Sequence, residues 1–276
     1  MLRLLFVAIL MFYVSSALAA HPGIPGQDAP GGEVVKVPSN GVELHNVLYL
    51  PDTDKASLPA LILVHGFKSY SARAGEWDTY WAKKIAATHG YVVLGVTMRG
   101  WPDTGGVDDC GLQQPEDIAR VIRWLAHHPR VDPNRIGLIG GSQGGQVVLL
   151  AAAIEKSVRA VVAQFPVTDV ELWSKNSHLR EGVLKYIATT CAEPGSQRMR
   201  SPRFVADKIE ASILLMHGDS DRQVQYEQSL VMKQALEDSR KDVELFTAVG
   251  GGHGNMKGPG WEDGERALFD FLTRKL

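Results

Sequence analysis

The sequence lacks a marked charge of either sign, a nucleotide-binding motif and a cluster of metal ligands. Its 29 Lys and Arg residues against 31 Asp and Glu residues give a formal net charge of −2, and they form no basic run. Such a chain has little to attract nucleic acid or anionic lipid, so we expect neither as a partner. Neither a G-x-G-x-x-G nor a Walker pattern occurs, so we expect no cofactor and no metal.

An apolar run long enough to span a membrane is missing as well. The segment Met1–Ala19 instead has a basic start at Arg3, an apolar core at Leu4–Val14 and a small-residue cleavage site at Ala17–Ala19. That core is shorter than the roughly 20 residues that a spanning helix needs, and the pattern is typical of a secretory signal. No Cys follows the cleavage site, which argues against a bacterial-type lipid anchor. We therefore expect a signal peptide at 1–19, an extended segment at 20–32 and a secreted or periplasmic protein that leaves the membrane after cleavage.

Short apolar runs alternate with helical patterns along the rest of the chain. Two strand patterns, Glu33–Val37 and Val42–Leu50, flank an Asn-Gly turn that is typical of a hairpin. Six more runs are predicted strands: Ala60–Val64, Tyr91–Thr97, Ile136–Ile139, Ala160–Phe165, Ser212–Met216 and Val243–Val249. Alternation of this kind predicts one α/β domain at 33–276, built on a mostly parallel eight-stranded sheet with helices on both faces. The alternation lapses at about 166–207, which predicts a small helical insertion after the sixth strand.

The fifth predicted strand runs directly into a Gly-rich turn and then into a long apolar helical pattern. In that turn Gly140–Gly144 fits G-x-S-x-G, with Ser142 at its centre. A strand that reverses sharply into a helix strains its central residue, and the residues two before and two after it must lack side chains. The turn would raise the Ser142 hydroxyl above the sheet, near the first amides of the helix. Ser142 is therefore the predicted nucleophile.

A serine nucleophile needs a base that removes its proton and an acid that orients the base. On this type of sheet the acid follows the serine along the chain, and the histidine follows the acid. Three histidines lie downstream of Ser142, namely His178, His217 and His253. His253 lies past the last predicted strand in a Gly-rich loop, so it is the predicted base. His217 is interpreted as a structural residue at the end of a strand, and His178 lies in the predicted insertion, before Asp219 and Asp221.

Three aspartates are candidates for the acid. Asp169 follows the sixth predicted strand, whereas Asp219 and Asp221 follow the strand that ends at His217. Spacing alone does not distinguish Asp219 from Asp221.

The segment His217–Val224 resembles the H-G-x-x-D-x-x-V acid motif of prolyl-oligopeptidase-like α/β-hydrolases. The likeness runs from about Glu33 to the end of the chain and includes His65-Gly66, Arg99-Gly100, Gly140–Gly145 and His253. The resemblance implies the α/β-hydrolase fold and a triad of Ser142, Asp221 and His253. It also implies an oxyanion hole formed by the backbone amide of Gln143 and one from the His65–Phe67 loop, for which Phe67 is the candidate.

Two features differ from the oligopeptidases that this chain resembles. Those enzymes carry a large N-terminal propeller, for which we find no segment here, and usually have Tyr where this chain has Gln143. Small esterases and thioesterases of the superfamily often have Ser-Gln-Gly at the elbow. Dienelactone hydrolases are similar in size to this chain but use Cys there. The expected function is therefore an exported serine hydrolase that cleaves small carboxylic esters through an acyl-enzyme. The alternatives are a peptidase or amidase acting on short peptides and a non-catalytic hydrolase-fold binding module.

Cysteines and aromatic residues give further expectations near this site. Cys110 and Cys191 are the only two cysteines. In an exported protein they favour a disulfide bond, which would brace the long loop after the fourth strand against the insertion; two unpaired thiols are the alternative. Tyr70, Trp101 and Trp173 are candidates for lining a substrate pocket, although aromatic residues near strand ends more often belong to the core. The oligomeric state is not predicted.

Overall fold

The computed structural model describes residues 32–67, 76–101, 104–176, 178–179, 181–191, 196–254 and 256–276. The predicted signal peptide, the extended segment up to residue 31 and the pocket candidate Tyr70 lie outside the described residues.

Eight strands in this described part form one sheet. They are β1 (Gly32–Ser39), β2 (Val42–Tyr49), β3 (Leu58–Val64), β4 (Val92–Val96), β5 (Val131–Gly141), β6 (Val158–Gln164), β7 (Ser212–Gly218) and β8 (Val243–Ala248). Their order is β1-β2-β4-β3-β5-β6-β7-β8. β1 pairs with β2 and β2 with β4 in antiparallel fashion, and all other neighbours are parallel. The predicted mostly parallel eight-stranded sheet is confirmed.

Helices connect the parallel strands, and one further helix follows the last strand. They are α1 (Glu76–His89), α2 (Gln114–Ala126), α3 (Gln143–Ile154), α4 (Val170–Ser174), α5 (Glu181–Tyr186), α6 (Glu227–Asp238) and α7 (Gly264–Lys275). A π-helical turn (Ile187–Cys191) and a 3₁₀ helix (Pro202–Lys208) complete the predicted insertion between β6 and β7, together with α4 and α5. Within the described ranges, no helix is both long and apolar enough to cross a bilayer.

The alternating side chains of the strands build two separate cores. On β3, Ala60, Ile62 and Val64 belong to the core that also contains the apolar faces of α2, α3 and α6. The intervening residues Leu61 and Leu63 belong to the core formed with α1 and α7. Because successive side chains of a strand point to opposite faces, a strand that is apolar throughout needs cover on both sides. The helices therefore lie on both faces of the sheet, as the continuous apolar runs predict.

The strand β5 begins at Val131, five residues before the predicted start at Ile136. The polar and proline residues between these two positions are typical of a turn. In the structure they form an irregularity in the parallel ladder, in which Leu58 pairs with Val131 while Ala60 already pairs with Ile136. A strand can contain such a bulge without losing its register further along.

Candidate active site

Ser142 lies at the junction between β5 and α3 in a backbone conformation that side chains rarely adopt. Its φ is 55° and its ψ is −117°, and residues other than glycine rarely adopt a positive φ. A Cβ added to Gly140 would lie 2.3 Å from the carbonyl oxygen of Gly144, and one added to Gly144 would lie 2.2 Å from the carbonyl oxygen of Val64. Glycine is therefore required at both positions, because β5 and α3 approach each other and the end of β3 too closely for a side chain. This is the elbow geometry that the motif predicts.

The loop after β3 packs directly against this elbow. A Cβ on Gly66 would lie 3.1 Å from the carbonyl oxygen of Gly141 and 3.3 Å from the Cβ of Ser142. His65 anchors the loop, because its Nε2 accepts a hydrogen bond from the backbone amide of Met98 at 3.1 Å and its Nδ1 lies 2.9 Å from the Gly66 carbonyl oxygen. The loop that ends at Phe67 thus lies beside Ser142, where a second oxyanion donor is expected.

Asp221 and His253 form a direct hydrogen-bonded pair. The Nδ1–H of His253 donates to Asp221 Oδ2 at 2.7 Å. The side chain of Asp221 is 0% exposed and that of His253 is 16% exposed. The other carboxylate oxygen, Oδ1, accepts from the backbone amides of Gln223 at 2.8 Å and Val224 at 2.9 Å. With one oxygen held by the backbone, the carboxylate presents the other to the imidazole in a single orientation.

His217 supports the same carboxylate from within the core. Its Nε2 lies 3.0 Å from the Val224 carbonyl oxygen and 3.3 Å from Asp221 Oδ2. A carbonyl oxygen only accepts hydrogen bonds, so Nε2 carries the proton, and the Ser229 hydroxyl donates to Nδ1 at 2.7 Å. His217 is fully buried. It is a structural residue, as interpreted from the sequence, and it contacts the predicted acid as well.

The Asp221 carboxylate is held in its charged form. Burial by itself would raise the pKa of Asp221, but the hydrogen bonds from His217, His253 and the Val224 amide outweigh it and lower the pKa below its usual range. A buried carboxylate with several donors therefore faces the imidazole as an anion.

Phe165 connects the acid–base pair with the elbow. Its ring lies 4.7 Å from the ring of His253, centroid to centroid, at an interplanar angle of 62°. A Cβ on Gly141 would lie 3.3 Å from the same ring. His253 and the residue before Ser142 therefore share one aromatic neighbour, which places the imidazole next to the elbow.

The other candidate acids and bases have different surroundings. The side chain of Asp219 is exposed and accepts from the Gly250 amide at 2.7 Å. Asp169 caps α4 through the Leu172 amide at 3.0 Å and forms an ion pair with Arg203 at 3.0 Å. The exposed Nδ1 of His178 lies 3.4 Å from an Arg222 nitrogen. None of these contacts includes His253.

A polar network around the side chain of Gln143 is not predicted from the sequence. Gln143 Nε2 donates to Asp108 Oδ1 at 2.9 Å and to the Tyr186 hydroxyl at 3.0 Å, and it lies 3.3 Å from Gln114 Oε1. The Tyr186 hydroxyl donates to Asp108 Oδ2 at 2.9 Å. Burial and the neighbouring charge of Asp108 raise the pKa of Tyr186, so this hydroxyl keeps its proton. Burial also raises the pKa of Asp108, against the lowering effect of its hydrogen bonds.

Cys110 and Cys191 form the predicted disulfide bond. It joins the long loop after β4 to the end of the π-helical turn that follows α5. Asp108 lies two residues before one cysteine and Tyr186 five residues before the other. The cysteine pairing was therefore the one signal in the sequence that could have indicated these two residues.

The predicted pocket aromatics are divided between two places. The half-buried ring of Trp101 lies 4.7 Å from the ring of His65 and 6.5 Å from the ring of Phe67. Trp101 is therefore next to the loop after β3, which packs against the elbow. Trp173 instead is buried in the core of the insertion, and its Nε1 donates to the Gln223 carbonyl oxygen at 2.9 Å. Trp173 therefore belongs to the core, the more common place for such an aromatic residue, where it packs in the same cluster as Val224 of the loop that carries Asp221. No group of three or more potential metal ligands occurs within the described residues.

Residues 77–276 match the sequence model of the prolyl oligopeptidase family. The uncharacterized peptidase YtmA of Bacillus subtilis (strain 168) is 28% identical over 228 residues, which cover 76% of this chain and 85% of the relative. The Pyrococcus horikoshii acylaminoacyl peptidase is 22% identical with a TM-score of 0.73 over 89% of this chain. This chain spans only 42% of that protein.

One of the similar solved structures is an esterase, and it shares the fold over most of its own length. Acetyl xylan esterase 1 from Thermoanaerobacterium sp. JW/SL YS485 is 19% identical, with a TM-score of 0.67 and coverage of 91% of this chain and 86% of the esterase. These two structural likenesses show the α/β-hydrolase fold, whereas the family model covers well over half of the chain. The chain therefore belongs to the prolyl oligopeptidase family of serine hydrolases.

Proposed function

We propose that this protein is an exported serine hydrolase that cleaves carboxylic esters through an acyl-enzyme. The observation that carries the proposal is the 2.7 Å hydrogen bond between His253 Nδ1 and Asp221 Oδ2, beside the elbow that holds Ser142. With the Nδ1–H directed to the carboxylate, the lone pair of the neutral imidazole lies on Nε2. This nitrogen is the one that takes the proton of a serine hydroxyl in such triads.

The reaction has two steps, acylation of Ser142 and hydrolysis of the acyl-enzyme. Ser142 Oγ attacks the ester carbonyl carbon while its proton passes to His253 Nε2, and the negative charge moves to the carbonyl oxygen. The backbone amides of Gln143 and Phe67 bind that oxyanion, and its collapse expels the alcohol, which takes the proton from His253. A water molecule then repeats the sequence on the acyl-enzyme, which releases the carboxylic acid and restores Ser142.

Two observations favour esters as substrates. The nucleophile is followed by Gln143, as in the small esterases that the elbow resembles. The acetyl xylan esterase that shares the fold matches this chain over 86% of its own length. A peptidase or amidase is the second candidate, because the relative of similar length is named a peptidase and the larger structural neighbours include acylaminoacyl peptidases.

A matched substrate panel separates the two candidates. The purified protein is assayed with p-nitrophenyl esters of increasing acyl length and with aminoacyl p-nitroanilides, which release the same type of chromophore. We expect esters to turn over well above the amides, and amide turnover equal to ester turnover would favour the peptidase. Ser142→Ala is the control: it should lower turnover by about 10⁶ and abolish labelling by a fluorophosphonate. A folded wild-type protein that is not labelled would instead indicate a binding module without catalysis.

We also propose that the protein is exported and that residues 1–19 are removed. The basic start, apolar core and Ala17–Ala19 site support this. The bond between Cys110 and Cys191 agrees with an oxidising compartment. Expression of the full chain followed by N-terminal sequencing of the secreted protein is the test. The first residue should be Ala20, and retention of Met1 on the intracellular protein would contradict export.

A further inference from the structure

We propose that Tyr186 is a positioning residue for the oxyanion hole, because its ring stacks on Phe67 and its hydroxyl hydrogen-bonds to the side chain of Gln143. The inference rests on the proposed function, in which the backbone amides of Phe67 and Gln143 bind the oxyanion. Tyr186 contacts both of these residues directly, so we expect its effect to pass through them.

The first contact fixes the loop after β3. The rings of Phe67 and Tyr186 lie 4.0 Å apart, centroid to centroid, at an interplanar angle of 29°. The ring of Trp101 lies 6.5 Å from the ring of Phe67, centroid to centroid, and is nearly perpendicular to it at 85°. Phe67 therefore contacts two aromatic rings, which restrain its side chain and with it the backbone that carries its amide.

The second contact fixes the first residue of α3. Gln143 Nε2 has two hydrogens, and the two shortest acceptor distances are 2.9 Å to Asp108 Oδ1 and 3.0 Å to the Tyr186 hydroxyl. The same hydroxyl donates to Asp108 Oδ2 at 2.9 Å. The three side chains therefore form a closed ring of hydrogen bonds, and each holds the other two. Gln143 is buried, and Asp108 and Tyr186 are half-buried, so the ring of hydrogen bonds is largely shielded from solvent.

The Asp108 carboxylate depends on this ring because its partners are neutral. Its oxygens accept from the side chains of Gln143, Gln114 and Tyr186 and from the Cys110 amide. A carboxylate that is largely removed from water is stabilised by such donors in place of a cation. Loss of the Tyr186 hydroxyl would leave one carboxylate oxygen without this donor and would loosen its hold on Gln143.

The insertion brings Tyr186 to this position through several independent ties. The disulfide joins Cys191 to Cys110, and Gln146 Nε2 donates to the carbonyl oxygens of Cys110 at 3.2 Å and Arg200 at 2.7 Å. The Arg200 guanidinium in turn donates to the Asp109 carbonyl oxygen at 3.1 Å. The segment that carries Tyr186 is thereby tied to the loop that carries Asp108.

Kinetics of hydroxyl and ring deletions test the proposal. Tyr186→Phe removes the hydroxyl and keeps the stack, whereas Tyr186→Leu removes both. Loss of an entire oxyanion donor lowers kcat by 10²–10³, so we expect kcat to fall about 10-fold in Tyr186→Phe and about 100-fold in Tyr186→Leu, with KM changed by less than about 3-fold. Tyr91→Phe is the matched control, because it also removes a tyrosine hydroxyl. Tyr91 directly precedes β4, at the end of the sheet opposite Ser142, and its hydroxyl is hydrogen-bonded to Thr273.

A trifluoromethyl ketone gives a second readout that a purely structural role would not move. Its adduct with Ser142 carries an oxyanion, so its inhibition constant should rise by the same factor by which kcat/KM falls. Asp108→Asn should act in the same direction, and its effect should not add to that of Tyr186→Phe if both pass through Gln143. Thermal unfolding shows whether each variant keeps its fold.

The outcomes are distinct. Unchanged kcat in a folded Tyr186→Leu protein overturns the proposal, and a rise in KM alone assigns Tyr186 to substrate binding. If the wild-type protein hydrolyses esters while all Tyr186 variants equal it, only this inference fails. If the wild-type protein neither hydrolyses esters nor reacts with a fluorophosphonate, the proposed function fails and the inference fails with it.

Discussion

At the scale of single residues, two aspartates only two positions apart have opposite surroundings. The carboxylate of Asp221 is buried and bonds to His253, whereas that of Asp219 is exposed and accepts from the Gly250 amide. Both follow the same strand, and the direction of the chain after β7 decides which of the two faces the imidazole.

Substitution of each aspartate by asparagine tests this assignment. Asp221→Asn removes the charge that orients His253 and should lower kcat by about 10⁴, as the corresponding change does in other serine triads. Asp219→Asn changes only an exposed turn and should leave kcat within about 3-fold of the wild type. Steady-state ester hydrolysis measures both effects. A larger loss in Asp219→Asn would reassign the acid.

The buried imidazole of His65 makes the free energy of unfolding depend on pH. Burial lowers the pKa of His65 to about 4, against the raising effect of the Gly66 carbonyl. An unfolded histidine titrates near about 6.5. As the pH falls from the unfolded value to the folded one, the unfolded chain binds a proton that the folded chain does not. The free energy of unfolding is therefore highest above the pKa of the unfolded histidine. It falls by about 3 kcal/mol as the pH drops from that pKa to the pKa of the folded protein.

Urea unfolding at about pH 7.5 and about pH 4.5 measures this loss. We expect His65→Gln to be less stable at the higher pH, since the bond from the Met98 amide changes, but to depend less on pH. Asp221 does not interfere, because its lowered pKa places its titration below this window. An equal pH dependence in the two proteins would contradict the role of His65.

At the scale of elements, the elbow depends on how closely α3 approaches β3. A Cβ on Gly144 would lie 2.2 Å from the Val64 carbonyl oxygen and 2.5 Å from that of His65, both of which belong to rigid backbone. Gly144→Ala should therefore shift α3 away from the end of β3 and lower the free energy of unfolding by more than about 3 kcal/mol.

Gly182→Ala is the matched control for this substitution. Gly182 lies in α5, and a Cβ there would meet no heavy atom within 4 Å. Alanine has a higher helix propensity than glycine. The free energy of unfolding of this variant should therefore be unchanged or higher by up to about 1 kcal/mol. Urea denaturation of both variants and fluorophosphonate labelling give the comparison. Wild-type stability and labelling in Gly144→Ala would show that the elbow tolerates a side chain.

At the scale of the whole molecule, the disulfide closes a long loop around the site. Cys110 and Cys191 are separated by 81 positions. In the chain-entropy account, removal of a cross-link over such a loop costs roughly 3–5 kcal/mol. The Cys110→Ser/Cys191→Ser double variant should be less stable by this amount, and thermal unfolding should no longer respond to reducing agent. Two reactive thiols in the denatured, unreduced wild-type protein would show that the bond does not form in solution.

The sheet and the elbow could be predicted because the determining interactions are local. A strand covered on both faces is continuously apolar, and β3 shows this in five consecutive residues from Ala60 to Val64. The elbow requires glycine two positions before and after Ser142, and both glycines lie within five residues of chain. The early start of β5 was missed, because a bulge places turn-like residues inside a strand.

The sequence by itself determined the order of the strands along the chain, the Gly-flanked serine and the histidine after the last strand. Tertiary structure alone decided that Asp108 and Tyr186 meet the side chain of Gln143, because 35 and 43 residues separate them from it. Patterns within one turn or strand follow from backbone sterics, which are the same in every chain. Contacts across such distances depend on how a loop and an insertion close over the sheet, and no local pattern encodes that closure.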